Sequence, residues 1–579
     1  LRLLLFLSAI LLLAGCANPA RKNIYATPPY DVLIRGGTVY DGLGNPGVKA
    51  DVGITGDRVT KIGTIPVRDA KKIIDARGKA VAPGFINMLS WATESLLVDG
   101  RAMSDLKQGV TLQVFGEGWS MGPLNDTMKA DMKPRQRDVT FNISWTSLGQ
   151  YLETLEKRGI SPNVASFVGA ATVRMHELGS DNRAPTADEL ARMQELVRQS
   201  MREGALGVGS SLIYAPGTFA STEELIALAQ ASAPYGGRYI SHMRSESDNI
   251  ERALDELLRI SREGGVPAEI YHLKIAGKPN WPRYASVIAK IEAARASGLD
   301  ISTNMYTYTA GATGLDAAMP TWVQEGGVEK WIERLKNPAI RARVLKEMRE
   351  APKGWESLYR SAGSPKNLLL VDFGNPKLKY LTGKTLDEVA RLRKTSAEDT
   401  IIDLVIEDGT RVGTVYFLMS EDNVKKQIKL PYMAFGSDEA SPATEDPFLR
   451  SNPHPRAYGN VARLLGRYVR EQKLLSLPEA IHKLSGLPAR RLNLKDRGTL
   501  TVGAYADVVV FDPATIADKA TYAKPHHYAV GVSHVIVNGI QLLRDGNHTG
   551  ATAGRVVRGP GWTGWGAGAK GSTDHAKHP

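Results

Sequence analysis

Apolar and polar positions alternate in two short blocks near the start of the chain, Asp31–Asp41 and Val52–Gly63, and again near its end, Ala506–Asp512 and Val532–Gly539. Alternation at a period of two, broken at glycines, predicts short antiparallel strands. The two flanking segments, 30–80 and 490–560, are expected to pair into one small β-sandwich. Between them apolar strand-like runs alternate with amphipathic stretches, the signature of parallel βα units. The runs are Val81–Met88, Thr111–Glu117, Asn163–Gly169, Ala205–Leu212, Arg238–Arg244, Pro267–Lys274, Ile301–Tyr308 and Tyr432–Asp438. Helical spacing of apolar residues over Thr186–Glu203, Ser221–Tyr235 and Asn249–Glu263 supplies crossovers. Eight parallel strands close a TIM (β/α)8 barrel, which predicts an α/β fold with its barrel over 81–489. The gap after the seventh run is too long for a βα loop, and Val328–Glu350 and Thr385–Asp408 within it read as helices. An inserted subdomain at about 316–430, over the barrel mouth, is expected.

A chain of 579 residues with 42% apolar and 23% charged residues and 57 glycines has the composition of a loop-rich globular enzyme. The net charge of +12 is spread among acids, without the basic stripe and interleaved aromatics of a nucleic-acid surface. At the start, Arg2 precedes the apolar run Leu3–Leu13, too short to span a bilayer and ending in Leu13-Ala14-Gly15-Cys16. This layout predicts a signal peptide over 1–15 and lipidation at Cys16, with 16–29 as a polar tether. The lipobox-like string implies a periplasmic, envelope-anchored protein, with the outer membrane favoured because Ala17 follows the cysteine. Membrane contact is expected only through that anchor. Cys16 is the single cysteine, so disulfides are excluded. The Gly- and Ala-rich segment 561–579 reads as a disordered tail.

Catalytic residues of such a barrel sit at the C-terminal ends of its strands. Those ends carry Glu117, His242, His272, Tyr306 and Asp438, and two of the chain's 11 histidines fall in this one layer. Neighbouring strands lie about 4.8 Å apart, so His242 and His272 can share an ion at roughly the 2.0–2.1 Å of a zinc–imidazole bond. Glu117 offers a third, anionic ligand, and three protein ligands leave a coordination position open. Zinc, as one ion, is the expected cofactor. Period-two geometry places Arg244 beside His242 and Lys274 beside His272, two cations suited to a substrate carboxylate. Asp438 is placed to move a proton between the attacking water and a leaving nitrogen, and Tyr306 to donate to an oxyanion. Each residue alone also fits a structural role; together they describe a hydrolytic site.

Longer strings extend the picture: Ala82-Pro-Gly-Phe-Ile86, Ser211-Leu-Ile-Tyr-Ala-Pro-Gly-Thr-Phe219, Ser241-His-Met-Arg244, His272-Leu-Lys274, Gly436-Ser-Asp438 and His454-Pro-Arg-Ala-Tyr-Gly459. In these the chain resembles the N-acyl-D-amino-acid deacylases, the D-aminoacylase branch of the amidohydrolase superfamily, from about Tyr30 to Pro560. The resemblance implies a barrel with a small β-sandwich, zinc, and hydrolysis of the amide of a small N-acylated D-amino acid. It implies His242 and His272 as ligands of the tightly held metal, Asp438 as acid/base, Lys274 and Tyr306 as substrate or transition-state contacts, and Arg456 as a candidate for the substrate carboxylate.

The first strand departs from that pattern. Where the family has Asp-x-His-x-His, this chain has Asn87-Met-Leu89-Ser-Trp91, so a second metal position is expected to be lost and its corner filled with apolar bulk. Glu117 stands where the deacylases place a metal-bridging Cys, Asn304 where they have Asp, and Ala170 where a His often follows. Two further readings stay open on the sequence alone: a non-catalytic binding protein on the same barrel, and a cyclic-amide or carbamate hydrolase.

Overall fold

A computed structural model describes residues 28–136 and 138–564. The predicted signal peptide, Cys16 and most of the tether lie outside the described residues, as does the tail beyond residue 564.

The two ends of the chain meet in one nine-stranded sheet. Ala80–Pro83 sits at its centre, parallel to Tyr30–Val39 on one side and antiparallel to Val508–Phe511 on the other, with Val81 opposite Val510. Valine and isoleucine dominate the buried face of this sheet, which gathers Val32, Ile34, Val52, Ile54, Val508 and Val510 in one core; β-branched side chains fit a pleated, half-buried surface. Asn538 ties the sheet to the barrel, donating to Asn163 Oδ1 at 2.8 Å.

The barrel strands are Phe85–Asn87, Val110–Phe115, Asn163–Ser166 continued by Val168–Gly169, Gly207–Ser211, Arg238–His242, Ala268–Ile270, Ile301–Met305 and Met433–Phe435. Every neighbouring pair is parallel. The ring closes between the eighth strand and the first, where Met88 N donates to Phe435 O at 3.1 Å and Asp438 N to Leu89 O at 2.9 Å. The expected first strand, Val81–Met88, is in fact two: Gly84 breaks it, leaving Ala80–Pro83 to the outer sheet and Phe85–Asn87 to the barrel. Most of the other strands end two to four residues before the sequence pattern does. The functional side chains therefore lie at strand ends or on the loops just beyond them.

Crossover helices form where apolar residues recur at helical spacing and capping groups mark the ends. Ala187–Arg202 opens on a capping box of Thr186 and Glu189, an arrangement that contributes about 1 kcal/mol. Ile250–Gly264 buries Leu254, Leu257, Leu258 and Ile260 and stops at Gly265, whose φ of 65° suits glycine.

Between the seventh and eighth strands the chain forms the helices Val328–Lys336, Pro338–Arg349, Leu386–Arg393 and Ala397–Asp408. It also forms a three-stranded antiparallel sheet, Ala310–Gly314, Gly413–Phe417 and Leu368–Asp372. That sheet begins before residue 316 and was not expected from the sequence. At the other end Gly561 is buried and Trp562 stacks under Arg558 at 4.0 Å. The placed chain thus runs into the segment that composition alone assigned to the tail.

Candidate metal centre and active site

Three strand ends converge on one point. Ligand atoms of Glu117, His242 and His272 all lie within 4.8 Å of one another, and all three side chains are buried. His272 directs Nε2 at Glu117 Oε1 (2.5 Å), and His242 directs Nδ1 at the same oxygen (3.7 Å). Asn304, on the seventh strand, fixes this orientation: its Oδ1 accepts from His272 N at 2.8 Å while its Nδ2 donates to the buried Glu269 at 2.8 Å. An amide can do both, whereas an aspartate beside Glu269 could only accept. The backbone at His272 is held at φ 35°, so the regular pleat has ended there.

Glu246 is the residue that sequence reasoning missed. It lies four positions past His242, on the loop, and reaches both imidazoles: Oε1 is 3.0 Å from His272 Nδ1 and Oε2 is 3.6 Å from His242 Nε2. A metal-ligating imidazole commonly donates through its other nitrogen to such a carboxylate, which sets its tautomer. Lys274 Nζ donates to Glu246 Oε1 at 2.6 Å and lies 2.6 Å from His272 Nδ1. The signal in the sequence was an acid, Glu246, in the loop directly after a strand-end histidine.

The donor set fits a divalent cation. A carboxylate and two imidazoles buried on one point are the donors of a zinc site, and His242 Nε2 is buried without a hydrogen-bond partner, an orphan that is costly unless something satisfies it. Two buried carboxylates, Glu117 and Glu246, face a single lysine, so the cluster lacks positive charge. Burial and Lys274 push the His272 pKa down, but the charges of Glu117 and Glu246 outweigh them and raise it to about 9. Burial would lift Glu117, yet the two histidines hold it below the usual carboxylate range. A bound cation supplies the charge that the His272 imidazole otherwise takes up as a proton.

Asp438 stands at the rim of the same cavity, at φ 54°. The first strand places it from several sides. Asn87 Oδ1 accepts from Ser437 N at 2.8 Å, Leu89 O accepts from Asp438 N at 2.9 Å, and Trp91 Nε1 donates to Asp438 Oδ1 at 3.1 Å. The segment that lost its histidines is thus not merely apolar bulk. Leu89 packs tightly, so that a side chain at Gly436 would meet Leu89 Cβ at 2.6 Å, but Trp91 contributes a polar edge. Arg456 completes the hold: Nη2 donates to Asp438 O at 2.8 Å and lies 2.9 Å from Asp438 Oδ2. Its Nε and Nη1 are buried with no hydrogen-bond partner, leaving donors for a ligand.

Tyr306 borders the cavity with its hydroxyl unpartnered and the Arg456 guanidinium 4.3 Å from its ring centre. Burial raises its pKa well above 10, so the hydroxyl keeps its proton and can donate. His454 orients Arg456 by accepting from Arg456 N at 3.0 Å, with its Nε2 3.0 Å from Ala310 O. Burial and the Arg456 charge keep this imidazole neutral.

Arg244 requires a correction. Its strand ends at His242, so the period-two argument does not extend to it, and the side chain turns away from the cavity. It donates to Glu256 at 2.9 Å and to the carbonyls of Thr218 and Ala220, both at 2.9 Å. It braces the loop after the fourth strand and is not among the residues bordering the cavity.

The cavity has a volume of about 710 Å³ and contains the metal-site residues together with Lys274, Tyr306, Asp438 and Arg456. A model of the amidohydrolase family matches residues 72–542. The chain belongs to the amidohydrolase family. It is 34% identical to a D-aminoacylase of Alcaligenes xylosoxydans xylosoxydans, over 91% of this chain and 98% of the relative. A solved D-aminoacylase structure, from work on its binuclear metal centre with one-metal activation and second-metal attenuation, matches with a TM-score of 0.75 at 34% identity over 92% of this chain and all of that one. An N-acyl-D-glutamate deacylase from Bordetella bronchiseptica, solved with zinc and a phosphonate mimic of the tetrahedral intermediate, matches with a TM-score of 0.76 at 29% identity, over 91% and 99% of the two chains. Within the family this chain falls in the deacylase branch.

Proposed function

We propose that the protein is a hydrolase of non-peptide carbon–nitrogen bonds that removes the acyl group from N-acylated D-amino acids with one metal ion. The observation that carries this reading is the meeting of Glu117, His242 and His272 on one point of a cavity that Asp438 also borders. The D-configuration is supported by the deacylase relatives, and a single ion by the replacement of the first-strand histidines with Leu89 and Trp91.

Glu117, His242 and His272 would hold zinc, whose Lewis acidity polarises the amide carbonyl and lowers the pKa of water. Asp438, fixed by Trp91 and Arg456, takes the proton of the attacking water and returns it to the leaving nitrogen. The Tyr306 hydroxyl donates to the oxygen as it gains negative charge. The unpartnered Nε and Nη1 of Arg456 receive the substrate carboxylate, with Lys274 adding positive charge nearby. The products are a carboxylic acid and a free amino acid.

The address belongs to the same proposal. The Leu13-Ala14-Gly15-Cys16 string supports a lipid anchor at Cys16 and a periplasmic location, where envelope material supplies D-amino acids. Among the described residues no helix is long and apolar enough to cross a membrane.

The test is a panel of N-acetyl and N-octanoyl D- and L-amino acids assayed on zinc-loaded protein. Hydrolysis of D-compounds, lost on chelation and restored by zinc, is expected. No turnover of any D-compound by protein that carries zinc would refute the assignment.

A further inference from the structure

The cavity is divided by chemistry. Its positive side chains, Lys274, Arg411 and Arg456, stand on the sixth and eighth strand loops and the inserted segment. The loop and helix that follow Glu117 present a different surface: Met121, Leu124, Met128 and Met132 face the same space, joined by Met175 and by Phe448 from the loop beyond Asp438. Asp138, just past this helix, also borders the cavity and pairs with Lys379 at 2.7 Å.

This wall is built. Met128 and Met132 lie one turn apart on the helix Asp126–Arg135, which Asn125 caps by accepting from Met128 N at 2.9 Å. The Asn125 amide also donates to His176 O at 2.9 Å, tying this helix to Ala170–Leu178, which carries Met175. Trp145 Nε1 donates to Met121 O at 2.5 Å and Leu124 N to Thr146 O at 2.7 Å, fixing the connecting loop.

We propose that the methionine wall is a subsite for a long, unbranched acyl chain, so that the preferred substrates are medium- or long-chain N-acyl-D-amino acids and not N-acetyl ones. The inference rests on the function proposed above and names its substrate class. Two features support it. Methionine is unbranched and adaptable, and it suits a flexible aliphatic partner of varying length. A volume of about 710 Å³ lies well inside the range of cavities that enclose drug-sized ligands, and exceeds what an N-acetylated amino acid fills.

The test is a series of acetyl, butanoyl, hexanoyl and octanoyl derivatives of one D-amino acid that the zinc-loaded protein accepts. Burial of each methylene is worth up to about a fourfold gain, and kcat/KM is expected to rise at least tenfold from acetyl to octanoyl. Met128→Lys, which places a charge on the wall, is expected to lower the octanoyl-to-acetyl ratio at least tenfold. A flat or falling acyl series, or one in which the rate instead follows the amino-acid side chain at constant acetyl, overturns the proposal. If no N-acyl-D-amino acid is hydrolysed, the catalytic reading fails and the wall is judged by calorimetry with octanoate. Binding that Met128→Lys weakens tenfold upholds it, and no binding overturns it.

Discussion

The indole nitrogen of Trp91 donates to Oδ1 of Asp438 at 3.1 Å, and with Arg456 Nη2 2.9 Å from Oδ2 both oxygens of this carboxylate have a protein partner. In a chain whose first strand offers no histidine for a second ion, a side chain of that segment orients the proposed acid/base group. Trp91→Phe keeps the ring's bulk and removes the donor. Loss of a hydrogen bond to a charged group costs about 1.5–3 kcal/mol, so kcat is expected to fall roughly 10- to 100-fold with zinc content unchanged. Steady-state kinetics beside metal analysis checks this, and an unaltered kcat contradicts it.

Arg244 and Arg456 are expected to separate cleanly. Arg244 braces Glu256 and two carbonyls, so Arg244→Ala should lower unfolding stability by about 1–3 kcal/mol and leave KM within about twofold. Arg456→Lys loses the planar fork and should raise KM at least about tenfold. Denaturant melts and KM values on the same preparations decide the matter.

Glu439 supplies a pH signature. Burial, joined by the charge of Asp438, raises its pKa to about 7 against the opposing pull of Arg456. Below that pH it is neutral and leaves Arg456 Nε, 3.6 Å away, to a substrate carboxylate. Above it the ionised Glu439 competes, so KM is expected to increase as pH rises through 7. Glu439→Gln should flatten that rise in a pH series of KM.

Much of this arrangement was legible in the chain, and the failures have physical reasons. Glu117, His242 and His272 could be found because strand ends in a parallel barrel converge by construction. Glu246 and Arg244 lie outside the reach of that alternation, which stops where the strand stops, at His242, and for Glu246 the one signal was its place in the loop just after a strand-end histidine. Trp91 was read by its apolar area, although an indole also carries a donor. The three-stranded sheet of the insertion escaped notice because its five-residue strands lie far apart in sequence and pair only through the fold.

Asp105 is buried, accepting from Gln113 at 2.6 Å, Ser441 at 2.7 Å and Asn87 at 3.2 Å. Burial dominates these hydrogen bonds and raises its pKa from 3.8 to about 6. A raised folded-state value means that the folded protein binds the proton more tightly than the unfolded chain. The resulting stability is full below about pH 4 and is lost as pH rises through 6. Stability relative to Asp105→Asn should therefore decline between pH 4 and 7, by on the order of 2–3 kcal/mol. Denaturant unfolding at several pH values measures it, and a difference that grows with pH contradicts it.

The central claim is one ion held by Glu117, His242 and His272. Metal stoichiometry by plasma mass spectrometry, on zinc-loaded protein freed of excess metal, tests it most directly. One equivalent per chain is expected, falling to near zero in folded His272→Ala protein. Two equivalents in the parent protein, or one retained by the variant, would contradict it.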